Sequence, residues 1–397
     1  MRADSGAGEI NFGMQVNLDS SRCQITVMET MDKEVLQVPG PTPIPEKVLQ
    51  AMGSNLMYHR GEEFGRILKE TLNLLRKVFG TEGDVFILSS SGRGAMEAVL
   101  VNAFSPGDKV LVLVNGRFGD IFSEIAESFD LRVETLKFPW GSPVDVWQVE
   151  DRVRKDSEIK GVLCIHCETS TGVINDIKAV GDITARYNIL SVIDAVSSAG
   201  GIDLRMDEWN LDFVLTGSQK ALMTPPGLGI VAVSQRGWEA VKKSSHHRFY
   251  WDLRRYKEFQ DKQLTQTPFT SPVSLICGLR EALRIMEEEG FDAVIKRHAA
   301  VAWEFRKNVR EIGLEMFPQK DEWSSNTMSA VKCPSDIDSS IIVREMLENY
   351  HIRIASGLGE LKNRVVRIGH MGTQAQSNHM RTVALALSEV LHTVKGN

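Results

Sequence analysis

Thr216-Gly-Ser-Gln-Lys220-Ala-Leu-Met-Thr-Pro-Pro-Gly227-Leu-Gly229 decides the fold, because a lone lysine stands between a run of small residues and a proline- and glycine-rich turn. A β-prone segment, Asp212-Phe-Val-Leu-Thr216, precedes it, and Pro225, Pro226 and Gly227 forbid a regular helix soon after it. Lys220 is therefore expected on a constrained turn beside a strand end, where an amine sheds part of its hydration and becomes a nucleophile toward carbonyls. An ordinary loop lysine would be exposed and idle. Against that stands Ile193-Asp194-Ala-Val196-Ser-Ser-Ala-Gly-Gly201, which places an acid at the end of an apolar strand upstream. An acid for a pyridinium nitrogen and an amine for an aldehyde are what pyridoxal 5'-phosphate needs.

Working outward, short apolar runs alternate with helix-length segments: Val85-Phe-Ile-Leu88, Val110-Leu-Val-Leu-Val114, Arg132-Val-Glu-Thr-Leu136, Val162-Leu-Cys-Ile165, Leu190-Ser-Val-Ile-Asp194, Phe213-Val-Leu215 and Gly229-Ile-Val-Ala-Val233. Such runs predict seven strands covered on both faces, hence an α/β fold with a mostly parallel sheet between helix layers. Ligands in these sheets bind at the carboxyl ends of the strands, which is where Asp194 falls. A helix is expected over about 62–79, ending at Gly80. Beyond about 272 the pattern changes to two long helices, near 273–289 and 291–312. Strand-like segments at 328–331, 352–354 and 365–368 then interleave with helices at about 336–349 and 374–394. The division expected is a low-order extension over 1–34, a large domain over 35–271 and a small α+β domain over 272–397. Met28 and Met31, just before the patterned region, would suit a native start there. In between, Val38-Pro-Gly-Pro-Thr-Pro-Ile-Pro45 enforces a stiff, extended path, either a plain linker or a segment packed over a site.

The 397 residues carry a net charge of -6, with 42% hydrophobic and 25% charged residues. This is an ordinary globular balance that gives no electrostatic reason to expect nucleic acid or an anionic membrane as partner. No apolar run reaches the length of a bilayer span. Five scattered cysteines fit a reducing compartment, so a cytoplasmic protein is expected, with an organelle such as the peroxisome as the alternative. Cys164-Ile-His-Cys167 has half-site spacing but no second half, and reads as a buried strand rather than a metal site.

Ser89-Ser-Ser-Gly92-Arg93-Gly94 follows a strand and opens a helix, so its backbone N–H groups can converge on a phosphate. Arg93 would add charge there, or point to solvent or a partner chain. Phe118 follows the next strand and could lie against a ring. Glu168-Thr-Ser170-Thr-Gly172 ends the fourth strand with hydroxyls able to reach the cofactor's ring oxygen or a substrate carboxylate.

Taken together these stretches resemble the class V aminotransferases of fold type I, most closely the alanine–glyoxylate and serine–glyoxylate branch. The likeness spans about 36–395 and rests on Pro39-Gly-Pro, Ser91-Gly92, Glu168-Thr-Ser-Thr-Gly172, Asp194-Ala-Val196, Gly217-Ser-Gln219-Lys220-Ala, Pro225-Pro-Gly227 and Arg367-Ile-Gly369. The resemblance implies that Lys220 bonds the cofactor, Asp194 partners its ring nitrogen and Phe118 stacks on its ring. It further implies that Ser91, Gly92, Arg93 and Gln219 line the phosphate end, that Ser170 and Val196 touch the ring, and that Arg367 clamps the substrate carboxylate. Thr270 matches a threonine that reaches the phosphate of the neighbouring subunit, which implies a homodimer with its site at the interface. The tyrosine that accompanies this threonine in relatives is absent, with Gln266 and Thr267 nearby instead.

The expected activity is ping-pong transfer of an amino group from a small amino acid, serine, alanine or similar, to a 2-oxo acid, glyoxylate or pyruvate. Arg93 stands where the alanine–glyoxylate enzymes have histidine and is similar to the ureidoglycine–glyoxylate branch of purine breakdown, which is the alternative donor. The rival chemistry on this fold is a lyase of the cysteine desulfurase type. It needs a mobile nucleophilic cysteine, and Cys333, before a proline at a strand end, is poorly placed to be one.

Overall fold

The computed structural model describes residues 14–19, 22–27 and 34–396. Within the extension expected to be of low order, β1 (Met14–Asp19) and β2 (Arg22–Val27) pair as an antiparallel hairpin. Met14-Gln-Val-Asn-Leu-Asp19 alternates with period two, as a strand does. Met28 and Met31 lie outside the described residues. β3 (Val35–Leu36) then leads into the proline-rich segment.

The seven apolar runs form one sheet. Its members are β4 (Asp84–Ser89), β5 (Lys109–Val114), β6 (Arg132–Lys137) and β7 (Ile159–Ile165). After the short pair β8 (Cys167–Glu168) and β9 (Val173–Ile174) come β10 (Leu190–Asp194), β11 (Phe213–Gly217) and β12 (Leu228–Val233). The order across the sheet is β4-β12-β11-β10-β7-β5-β6. From β11 to β6 every pairing is parallel, while β12 runs antiparallel to both neighbours. Only the Lys220 loop joins β11 to β12, too short a connection for a crossover, so the chain must turn back. The carboxyl ends of β4, β5, β7, β10 and β11, and the start of β12, consequently share one edge.

Alternate side chains feed two cores. Val85 and Ile87 of β4 join a cluster with Leu111, Ile193, Val214 and the helix Glu62–Phe79, whereas Phe86 and Leu88 join Val112, Leu215 and the helix Gly92–Ala103 on the other face. The helix Val273–Glu289 also packs Ile276, Leu279 and Leu283 into the first cluster. A third core holds Val35, Phe305, Ile342, Val366, Ile368 and Leu387. It surrounds β13 (Met328–Lys332), β14 (Ile352–Arg353), β15 (Ala355–Ser356) and β16 (Val365–Gly369), with β16 central between β13 and β15 and with β14 parallel to β3. Among the described residues no helix is long and apolar enough to cross a membrane.

Where these cores meet, His298 is fully buried. Its Nδ1–H donates to the Val294 carbonyl at 2.7 Å, and its Nε2 accepts the Gly372 N–H at 3.0 Å. This arrangement requires the neutral ring, and burial holds its pKa down to about 4 against an ordinary 6.5. Because the unfolded chain binds the proton more readily, His298 contributes stability that is complete above pH 6.5 and is lost as pH falls toward 4. His298→Gln keeps a donor and an acceptor without the titration. Its melting temperature should therefore decline less steeply than the wild type's across that window, and parallel declines would show that His298 does not couple folding to pH.

Candidate active site

The Lys220 loop is closed by Ser218, whose N–H donates to the Leu228 carbonyl at 3.0 Å and whose hydroxyl donates to the Pro225 carbonyl at 2.6 Å. The proline-rich segment 38–45 lies over the loop and is a strap rather than a linker. Thr42 donates its N–H to the Gln219 carbonyl at 3.1 Å and its hydroxyl to the Lys220 carbonyl at 2.9 Å, and Lys220 Nζ donates to the Pro39 carbonyl. Gly40, at φ +100°, rests against the lysine, where a Cβ would meet Lys220 Cδ at 2.6 Å. The far end of the strap is anchored as Gly369 donates to the Gln37 carbonyl at 2.8 Å and Gln374 Nε2 to the Leu36 carbonyl at 2.6 Å. Lys220 keeps some exposure to the cavity beneath, yet its amine is deeply set, and desolvation pulls its pKa down to about 8.

That cavity, about 380 Å³, opens at the carboxyl edge of the sheet and is lined by Ser91, Gly92, Arg93, Phe118, Asp194, Val196, Gln219 and Lys220 together with Cys167, Thr169 and Ser197. A larger hollow of about 540 Å³ lies at the opposite edge, beside Asp84 and Asp212. Asp212 there is paired with Arg236 at 2.5 Å and Asp84 with Lys257 at 3.1 Å, Asp84 also accepting the Trp238 Nε1–H at 2.7 Å.

The residues of the smaller cavity fit pyridoxal phosphate. Asp194 is buried, and one of its oxygens accepts the Val196 N–H at 2.7 Å. Burial first, with the nearby Glu168 charge adding and Lys220 opposing, raises its pKa to about 7. A carboxyl so placed gains from a cationic ring nitrogen opposite it. At the other end the helix Gly92–Ala103 begins with no side-chain cap and no acid in its first turn, which leaves its N–H groups for an anion. Gln219 Oε1 is buried there without a protein partner. Gly92 is required because a Cβ would stand 2.6 Å from Val196 Cγ2.

Three expected residues are not in the lining. Ser170 is fully buried behind the wall, its hydroxyl donating to Glu168 Oε1 at 2.6 Å and accepting the Arg117 N–H at 2.9 Å. Thr169, its neighbour, faces the cavity in its place, 2.6 Å from the Ser197 hydroxyl. Arg367 on β16 lies beside the lining, with Nε donating to the Ser356 carbonyl at 2.8 Å and Nη1 to the Thr169 carbonyl at 3.4 Å. Its pKa is lowered to about 10, chiefly by burial. Thr270 is exposed.

Glu168 was missed as a site residue in its own right. It is fully buried, and its carboxylate accepts the N–H groups of Phe118 at 3.0 Å, Gly119 at 3.1 Å and Ser170 at 3.0 Å besides the Ser170 hydroxyl. It thus sits on the N-terminus of the helix Arg117–Ser128, favourable for a negative charge. Gly116 makes room, since a Cβ there would lie 2.3 Å from Glu168 Cγ. Cys167 was read as strand and is strand, but it also lines the cavity, its thiol pushed up to about 11 by burial.

Comparison with known proteins agrees with this arrangement. The family described as Aminotransferase class-V matches residues 35–371. The chain is similar to the serine–glyoxylate aminotransferase of Arabidopsis thaliana, 38% identical over 85% of each chain. It is 37% identical to the L-aspartate–glyoxylate aminotransferase of Paracoccus denitrificans, over 88% of this chain and 89% of that one. In structure it is similar to an alanine–glyoxylate aminotransferase from Nostoc sp., with a TM-score of 0.87 and 29% identity, covering 94% of this chain and 99% of the other.

Glu168→Gln preserves shape while replacing an acceptor oxygen with a donor, so at least one buried N–H loses its partner. Unfolding in urea should show a loss of about 2 kcal/mol, the scale of a hydrogen bond to a charged group. Equilibrium dialysis should show weaker retention of pyridoxal phosphate, since the Phe118 wall hangs from the same carboxylate. Wild-type stability together with wild-type retention would make the network incidental.

Proposed function

Because the chain belongs to the class V aminotransferases, whose cofactor is pyridoxal phosphate, we propose that it moves an amino group from a small amino acid to a 2-oxo acid, glyoxylate or pyruvate, in two half-reactions on one site. The observation that carries the reading is the convergence of a depressed lysine and a buried acid, Lys220 and Asp194, in one cavity at the strand ends.

When bound, the cofactor supplies an aldehyde that condenses with amines and a ring that takes up negative charge. The chain does the rest. With its pKa lowered to about 8, Lys220 would supply the amine that holds the aldehyde and a base for the proton on the donor's Cα. Asp194 would partner the ring nitrogen and favour its protonated form. Phe118 and Val196 would form the walls, and the N–H groups of Gly92 and Arg93, with Ser91 and Gln219, would hold the phosphate. Thr169, which lines the cavity where Ser170 does not, would stand on the ring side. Arg367 offers a planar fork to the α-carboxylate shared by amino and oxo acids.

Nothing in the lining favours the lyase. Cys333 stands outside it, packed against the third core with its thiol raised to about 12 by burial, and Cys167 is likewise held protonated. The test is to incubate the cofactor-loaded protein with serine, alanine, glycine, aspartate or ureidoglycine, add glyoxylate or pyruvate, and measure the new amino and oxo acids. Amino transfer dependent on the acceptor is expected. Its absence with every pair, or release of ammonia or sulfide without an acceptor, would overturn the reading.

We also propose a homodimer, in which Thr270 reaches the partner's phosphate site. The support is an exposed apolar set that includes Leu49, Leu56, Tyr58 and Phe249. Sedimentation should return twice the chain mass, and a fully active monomer would end this proposal.

A further inference from the structure

Behind the cavity wall three side chains form a relay of hydrogen bonds whose direction a single carbonyl dictates. Thr327, which leads into β13, donates its hydroxyl proton to the Ser197 carbonyl at 2.6 Å. A carbonyl only accepts, so that proton is committed, and the Ser325 hydroxyl, 2.9 Å from Thr327 Oγ1, has to donate in turn. Cys167 then directs its S–H at Ser325 Oγ, at 3.1 Å. Thr327, Ser325, Cys167 and Ser197 are all buried, where a polar group without a partner is costly.

The segment that carries Thr327 is held from two directions. The Thr327 carbonyl accepts the His370 N–H at 2.9 Å and the Ser325 carbonyl accepts Arg306 Nη1–H at 3.0 Å, while the Ser325 N–H donates to the Gly172 carbonyl at 2.8 Å. Gly201 leaves room for it, since a Cβ there would stand 2.6 Å from Thr327 Cγ2. A hydroxyl so clamped is a fixed point. What it fixes is one side of the cavity, because Ser197 belongs to the turn that follows Asp194 and its hydroxyl lies 2.6 Å from that of Thr169, both of them in the lining. Two hydroxyls in contact place one proton between them and leave the other to be donated into the cavity.

We infer that Thr327 is a positioning residue for amino transfer: through the Ser197 carbonyl it holds the Ser197–Thr169 pair in the orientation that donates a proton to the ring oxygen of the bound cofactor. The inference rests on the amino-transfer reading and adds to it a residue outside the cavity lining. A hydrogen bond to the charged form of a group favours that form, so the pair favours an anionic ring oxygen only while it is aimed there.

The test compares cofactor-loaded wild type with Thr327→Val, which keeps the shape and removes the donor, and Thr327→Ser, which keeps the donor and removes the methyl. The first readout is the pH midpoint of the bound cofactor's visible absorbance, which needs no substrate. The second is kcat and KM for a donor that the wild type turns over. In the valine variant the midpoint should move upward and kcat should fall about tenfold while KM changes less than about threefold, the pattern of a misoriented group at the reacting centre. Serine should bring both readouts back toward wild type. On a Ser197→Ala background, where the pair no longer exists, Thr327→Val should shift the midpoint no further. A wild-type midpoint in the valine variant overturns the inference. Equal changes in the valine and serine variants, which would make Thr327 a packing residue, also overturn it, as does a full further shift on the Ser197→Ala background. If the valine protein does not fold, Thr327→Cys, a weaker donor of similar size, is read by the same midpoint with the same outcomes. If the wild type turns over no amino acid, the amino-transfer reading falls, and the midpoint still decides whether Thr327 orients the pair.

Discussion

One buried carboxylate holds one wall of the cavity together. Glu168 collects donors from the start of the helix Arg117–Ser128 and from its own loop, and everything on that side of the cavity is positioned by this collection. Phe118 stands where its N–H is held, Thr169 faces inward because Ser170 faces Glu168, and the Thr169 carbonyl then meets Arg367. Burying a carboxylate is costly by itself, and here burial raises its pKa while four hydrogen bonds oppose that rise. The helix terminus and the acid satisfy one another, so neither could be replaced alone.

The electrostatics of the cavity follow from a single cause acting on opposite charges. Removal from water depresses Lys220 and elevates Asp194, so both are moved toward their neutral forms and toward the middle of the pH scale. Their mutual attraction works against both shifts and is the smaller effect. A site so poised gains from a ligand that brings a cationic nitrogen to the acid and an electrophilic carbon to the amine. The same low-dielectric surroundings keep Cys167 a thiol, so the cavity activates its amine without activating its sulfur.

Much of this could be read from residues alone, for reasons that can be named. The seven strands announced themselves because continuous Val, Ile and Leu runs arise where both faces are covered, and Lys220 and Asp194 because strand ends on one edge of such a sheet meet in space. What escaped were relations of distance and of facing. Glu168 gave no local sign, since Phe118 and Gly119, whose N–H groups it accepts, lie far from it in the chain. Ser170 and Thr169 are chemically alike, and only the geometry separates the one that caps from the one that faces the cavity. The role of segment 38–45 stayed open between linker and cover because stiffness says nothing about where a segment docks.

That docking bears on how the two ends of the chain act on one another. The strap reaches Lys220 across most of the large sheet's sequence and is fastened by Gly369 and Gln374, near the far end of the chain. Thr42 ties the strap to the Lys220 loop from within the large domain, whereas Gly369 and Gln374 tie its start to the small one. The cover over the lysine is thus a seam between the two ends of the chain, and a movement of the C-terminal part would be felt at Pro39 and Gly40 without any change in the large sheet.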